Sequence, residues 1–226
     1  ALGQLVSAPS ATPELLKECL AALLPLVSDQ YLGVRHAACQ ALGQLVSAPA
    51  ATPELLKESF AALQPVLTDV DHRVRYAACN ALGEMAIAPS ASPELRKESF
   101  TALQPLLGDG DLHVRAAACF ALASDPSASP ELLKESFAGI QSLAGEENAE
   151  VRATVCYALG EMASAPSASP ELQKESLAAL QPLLGDGDLH VRAAACSALG
   201  QMASAPSAST ELQKESLAAL QPLLGD

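Results

Sequence analysis

Leucines and charged residues alternate along this chain with a helical period rather than a strand period. At about 100° per residue, Leu172, Leu177, Leu180, Leu183 and Leu184 share one face of a segment whose opposite face carries Lys174, Ala178 and Gln181. That spacing predicts an amphipathic helix with a charged outer surface. A second stripe, Val191, Ala194, Ala195, Ala198, Leu199 and Met202, also keeps to a single helical face. It is built mostly from small side chains, which let neighbouring helices approach closely.

The ends of both helices are legible. In Ser169-Pro170-Glu171, the serine can cap the free amides, the proline suits the first helical position and the glutamate complements the positive end of the helix dipole. Thr52-Pro53-Glu54, Ser92-Pro93-Glu94 and Ser129-Pro130-Glu131 repeat the device. Pro182 lies late in the first helix, as do Pro25, Pro65, Pro105 and Pro222, and predicts a kink or an end there. Ser142 takes that place once. Asp188 is a natural N-cap for the second helix, matched by Asp71, Asp111 and Asn148; Tyr31 holds the equivalent place in the first copy and predicts a weaker start. The Pro- and Ser-rich run from Ser204 to Ser209, with its copies, reads as a loop.

These elements recur. The dipeptide Val-Arg places Arg35, Arg75, Arg115, Arg152 and Arg192 at intervals of 40, 40, 37 and 40 residues, and the text from Val34 to Gly43 returns nearly intact from Val191 to Gly200. A period near 40 residues holding two helical patterns predicts an α-solenoid, in which each unit buries its apolar face against its neighbours. The short interval arises because Ala121 to Pro126 omits three residues relative to Ala198 to Pro206. A helix missing nearly a turn should end early, so the stack is expected to bend near residues 120–130.

The residues from Leu180-Gln181-Pro182 through Asp186-Gly187-Asp188 and Val191-Arg192 to Ala198-Leu199-Gly200 resemble the HEAT-repeat pattern, and the resemblance covers essentially the whole chain. It implies an all-α, right-handed solenoid of five to six HEAT-like helix pairs that binds other proteins. The expected organisation is one domain over 1–226, with units near 1–28 (partial), 29–68, 69–108, 109–145, 146–185 and 186–226. The resemblance further implies a ladder between neighbouring units from the Asp before the second helix and the Arg of Val-Arg. That role passes to Asp69, Asp109 and Asp186 with Arg75, Arg115 and Arg192.

Composition narrows the function. The 226 residues are 50% apolar, 17% charged and 3% aromatic, and 26 acidic against 13 basic side chains give a net charge of −13. Such a balance disfavours nucleic acid and anionic membranes, which need a basic footprint. No window is apolar enough to suggest a membrane span, and Ala1 to Leu5 lack the basic start of a signal peptide. A soluble, cytoplasmic protein is expected. Ala1 lies inside a motif that recurs later in full, so a fragment of a longer array is also expected.

Candidate chemistry is sparse. Cys39, Cys79, Cys119, Cys156 and Cys196 occupy one position in successive repeats, and packed helices lie about 8–10 Å apart, beyond the roughly 7 Å that a disulfide spans. They read as small, reduced packing residues, as does Cys19. No Cys-x-x-Cys pair seeds a zinc site. His36, His72, His113 and His190 are followed by Ala37, Arg73, Val114 and Val191, so the His-Glu pairs of di-iron HEAT-like hydroxylases are missing. A phosphate-binding glycine loop and a nucleophile elbow are missing too. No catalysis, cofactor or metal is expected.

The informative positions are those where near-identical repeats disagree. After the Arg stand His36, Tyr76, Ala116, Ala153 and Ala193; after the Cys stand Gln40, Asn80, Phe120, Tyr157 and Ser197. Four residues apart, the two sets point the same way, opposite the Val/Ala/Leu stripe. The resemblance puts this face on the concave surface. His36, Gln40, Tyr76, Asn80, Phe120, Tyr157 and Ser197 are thus expected to bind a peptide or protein partner, with aromatic anchors carrying the affinity. The alternative is an assembly element that stacks head to tail into oligomers or filaments.

Overall fold

The computed structural model describes residues 12–123 and 129–221. Within them the chain is an all-α solenoid of eleven α-helices, with no strand among the described residues. The first helices of the hairpins are α1 (Pro13–Leu23), α3 (Pro53–Leu63), α5 (Pro93–Leu103), α7 (Pro130–Ser142), α9 (Pro170–Leu180) and α11 (Thr210–Leu220). The second helices are α2 (Leu32–Val46), α4 (His72–Ile87), α6 (Leu112–Ala123), α8 (Ala149–Ser164) and α10 (Leu189–Ser204). The chain divides into two compact units, Ala1–Ala121 and Leu122–Asp226. In the first unit α2 packs on α4, and in the second α8 packs on α10.

Local sequence sets the helix ends. Thr12, Thr52, Ser92, Ser169 and Ser209 accept from the backbone N–H three residues on, at 3.1–3.3 Å. Asp188 accepts from the amides of His190 and Val191, and Asn148 from those of Glu150 and Val151. Asp71 and Asp111 cap their helices likewise, while Tyr31 offers no side-chain cap to α2. The late prolines stop the α-helix without stopping the helical path. Leu23, Leu63, Leu103 and Leu180 each end an α-helix, and five-residue 3₁₀ turns follow at Leu24–Ser28, Gln64–Thr68, Gln104–Gly108 and Gln181–Gly185, with proline second in each. A proline ring removes one i→i−4 bond and clashes with its acceptor, and a 3₁₀ turn relieves both. Where Ser142 replaces proline, α7 runs 13 residues instead of 11. Pro222 and residues 124–128 of the segment expected to bend the stack lie outside the described residues.

The two helix types bury different chemistry. On α10 the buried side chains are Val191, Ala194, Ala195, Ala198, Leu199 and Met202, the stripe the spacing predicts. On α9, Leu172, Leu177 and Leu180 are buried, but so are Gln173 and Ser176, which hydrophobic periodicity alone leaves out. Gln173 is accommodated because its Nε2 donates to the Ala163 carbonyl at 3.2 Å and reaches Ser207 Oγ at 3.4 Å. Ser176 belongs to a recurring set: Ser59, Ser99, Ser136, Ser176 and Ser216 are fully buried, and their hydroxyls have no hydrogen-bond partner among the described residues. Cys19 fills that position on α1.

Glycine decides how closely second helices approach. A Cβ added at Gly160 would lie 3.0 Å from both Cα and Cβ of Ala198, and one at Gly83 would come 2.7 Å from Ala121 Cβ. At Gly43 it would meet Ala81 at 3.4 Å. The seam between repeats is therefore glycine against alanine, with no room for a larger side chain at Gly83 or Gly160, while Gly43 would take a Cβ in ordinary contact.

Candidate functional site

Two features of the second helices carry polar or exposed chemistry: an arginine–aspartate link along the seam and a row of variable side chains on the outer face.

Arg75 Nε and Nη2 grip Asp109 at 2.8 and 2.7 Å, and Nη1 reaches back to the Asp69 carbonyl of its own turn at 2.9 Å. Arg35 grips Asp69 at 2.7 and 3.0 Å and reaches the Asp29 carbonyl. Arg152 grips Asp186 at 2.7 and 2.8 Å and reaches the Glu146 and Glu147 carbonyls. One guanidinium thus joins two repeats and closes the turn before its own helix, a task that needs the planar fork of arginine. Each aspartate also accepts from the amide two residues on. The arginine bond, followed by that amide, holds the Asp186 carboxyl at about 2. Asp69 and Asp109 are likewise lowered, their arginine bonds outweighing burial.

The resemblance assigned the ladder to Asp69, Arg75, Asp109, Arg115, Asp186 and Arg192, and the structure distributes these residues differently. Of that set it joins Arg75 to Asp109 through side chains. The Asp69 and Asp186 carboxylates go to Arg35 and Arg152, two arginines the assignment omitted although both stand in the Val-Arg ruler. Arg115 and Arg192 reach the backbone carbonyls of Asp109 and Asp186.

The thiols sit behind this link. All six cysteines are free, five of them buried and Cys196 half-buried. Burial pushes Cys39, Cys119 and Cys156 up to about 12 and raises Cys79 as well, so these thiols stay protonated and unreactive at neutral pH. No group of three or more histidine, cysteine or acidic side chains is placed to hold a metal among the described residues.

On the outer face of the first unit, Gln40, Tyr76, Asn80 and Phe120 are exposed, His36 is half-buried and Ala116 is buried. In the second unit, Tyr157 and Ser197 are exposed. Tyr76, Phe120 and Tyr157 leave 39%, 44% and 46% of their surface to solvent, whereas Phe60, Phe100 and Phe137 are buried. On α4 the row continues through two residues that comparing repeats at two positions missed: Glu84, which accepts from the Ser47 hydroxyl of the preceding repeat, and the exposed Ile87. With Tyr76 and Asn80 they recur at spacings of four and three, the same helical face.

A family profile described as HEAT repeats matches residues 100–174 and 140–226, more than half of the chain. The chain belongs to the HEAT-repeat family. A second profile, described as sister chromatid cohesion protein PDS5, matches residues 1–135. No curated protein matches the chain. Among solved structures, this HEAT-repeat chain is similar to an engineered protein from the Northeast Structural Genomics Consortium, at 25% identity and a TM-score of 0.64, over 92% of this chain and 91% of that one. A designed armadillo repeat protein in complex with the peptide (KR)4 aligns at 21% identity and a TM-score of 0.61, covering 89% and 90% of the two chains. Computationally designed armadillo repeat proteins for modular peptide recognition align at 20% identity and a TM-score of 0.57, covering 88% and 90%. The last two likenesses concern the fold. No helix among the described residues is long and apolar enough to cross a membrane.

Proposed function

We propose that this HEAT-repeat chain is a non-catalytic scaffold that binds a peptide or protein partner on the concave face of its second helices, through His36, Gln40, Tyr76, Asn80, Phe120, Tyr157 and Ser197. The observation that carries the reading is the exposure of Tyr76, Phe120 and Tyr157 in a chain with three tyrosines, four phenylalanines and no tryptophan. Aromatic side chains supply large contact area for little entropy and dominate recognition energetics. The peptide complex of the designed armadillo protein is consistent with this use of the fold. A net charge of −13 favours a neutral or basic partner over nucleic acid or an anionic membrane. Free, mostly buried thiols fit a reducing compartment, the cytoplasm.

The test uses a peptide selected on the wild-type chain from a display library and titrated by fluorescence anisotropy. Tyr76→Ala, Phe120→Ala and Tyr157→Ala together should weaken its binding by about tenfold or more with little change in melting temperature. Unchanged affinity would overturn the assignment of the face.

A further inference from the structure

The outward row is not furnished alike in every repeat, and α8 departs from the others in charge. Glu150, Tyr157 and Glu161 recur on it at spacings of seven and four, which is one helical face. Glu150 and Tyr157 are exposed and Glu161 is half-buried. The opposite side of the helix, with Val151, Val155, Leu159 and Met162, is buried. At the place of Glu150 the other second helices carry Gly33, Arg73, His113 and His190. At the place of Glu161, α2 carries Gln44, α4 Glu84 and α10 Gln201. Among the described residues, α8 alone sets an aromatic ring between two carboxylates on this face.

The arginines and lysines of the same unit lie elsewhere. Leu122–Asp226 holds 14 of the 26 acidic side chains but only 5 of the 13 basic ones. Arg152 is taken by Asp186 and the Glu146 and Glu147 carbonyls, and Arg192 by the Asp186 and Gly187 carbonyls. Lys134, Lys174 and Lys214 stand on the first helices α7, α9 and α11. On the strip itself, the Thr154 hydroxyl donates to the Glu150 backbone carbonyl at 2.9 Å rather than to a carboxylate.

We infer that α8 receives an arginine of a basic peptide, its guanidinium flat on the Tyr157 ring and its edge donating to the Glu161 carboxylate one turn on. Cation–π stacking uses the flat side of a guanidinium and charge-assisted hydrogen bonds use its edge, so one planar group satisfies both. The compact ammonium of lysine does not. Glu150, about 10 Å away along the helix axis, adds attraction to the same cation within a Debye length. The inference rests on the proposed partner-binding face and adds the chemistry of what binds there.

Fluorescence anisotropy of a labelled octapeptide alternating arginine and alanine, titrated with the 226-residue chain, reads the site. The wild type should bind it, and should bind the lysine counterpart more weakly. Glu150→Gln with Glu161→Gln should weaken the arginine peptide about tenfold or more. Glu171→Gln with Glu175→Gln removes the same charge from exposed positions on α9 of the same unit and should leave the affinity nearly unchanged. Glu150→Lys with Glu161→Lys should lose the arginine peptide and gain an octapeptide alternating glutamate and alanine. Absence of binding by the wild type, equal affinity for the lysine peptide, equal losses from the two glutamine pairs, or no gain of the glutamate peptide would each overturn the inference. The display-selected peptide keeps the two readings apart. If the triple aromatic variant weakens it while the octapeptides fail, the face stands and the arginine site falls; if that variant leaves it unchanged, both fall.

Discussion

First helices bury leucine and phenylalanine; second helices add alanine, cysteine and glycine to their buried leucine, valine and methionine, and the added small residues follow from what each helix must touch. Leu63, Leu103 and Leu180 are fully buried near the ends of their helices. Ala77, Ala78, Cys79 and Ala81 are buried on α4, where Gly83 meets Ala121. Large side chains on both helices fill the core. Small ones bring hairpins close enough for one arginine to bridge two turns. The Gly–Ala contacts and the arginine–aspartate links act between repeats, and substitutions there can be compared with substitutions of the large core residues.

The largest expected effect lies in the first helices. Leu103→Ala removes a fully buried side chain from a close-packed interior and should cost about 2–5 kcal/mol, read as a lower midpoint in urea denaturation. A loss well under 1 kcal/mol would mean that α5 is not part of the core.

Next come the links between repeats. Arg75→Ala leaves Asp109 half-desolvated without its fork and should cost about 2 kcal/mol at neutral pH. Its pH dependence has a defined sign. The carboxyls of Asp69, Asp109 and Asp186 lie below the ordinary value of 3.8 in the folded chain. Their contribution is fully present above that value and is lost as pH falls through the folded values, at about 2 for Asp186. Melting temperatures followed from pH 5 downward should fall more shallowly for Asp109→Asn than for the wild type; parallel curves would remove the link from the account.

Glycine sharpens the comparison. Gly160→Ala pushes a Cβ to 3.0 Å from the Ala198 backbone and should destabilise by about 1–2 kcal/mol. Gly200→Ala meets nothing and, measured on dilute protein, should stabilise by about 0.5–1 kcal/mol through helix propensity alone. Equal effects at the two sites would show that the seam is not what selects glycine.

The smallest effect concerns the buried serines. Ser99→Ala removes a hydroxyl that has no partner among the described residues and should leave stability unchanged or raise it by up to about 1 kcal/mol. A clear loss on chemical denaturation would mean that the hydroxyl is hydrogen-bonded after all.

The helices, their caps and the alanine stripe of α10 were legible in the sequence because each is fixed within a few residues. Ser169 reaches only as far as Leu172, and the stripe needs only a helical period. Gln173 and Ser176 were not legible as buried residues. Their burial depends on the neighbouring hairpin, and for Gln173 on a carbonyl ten residues away. The outer row was partly legible through disagreement among repeats, which marked Tyr76, Phe120 and Tyr157 but passed over Glu84 and Ile87, positions not compared.

By itself the sequence determined a HEAT-type array of helical hairpins, since a 40-residue period with a proline-capped leucine helix and an alanine-striped one leaves little else to build. Tertiary structure decided the partners across the seam. Arg75 stands six residues after Asp69 but grips Asp109, 34 residues on, because one hairpin intervenes in sequence while the turns lie side by side in space. It also decided which equivalent residues are covered: Gly160 and Gly200 each follow Ala-Leu and precede a methionine by two residues, yet a Cβ at the first would meet Ala198 and at the second nothing within 4 Å.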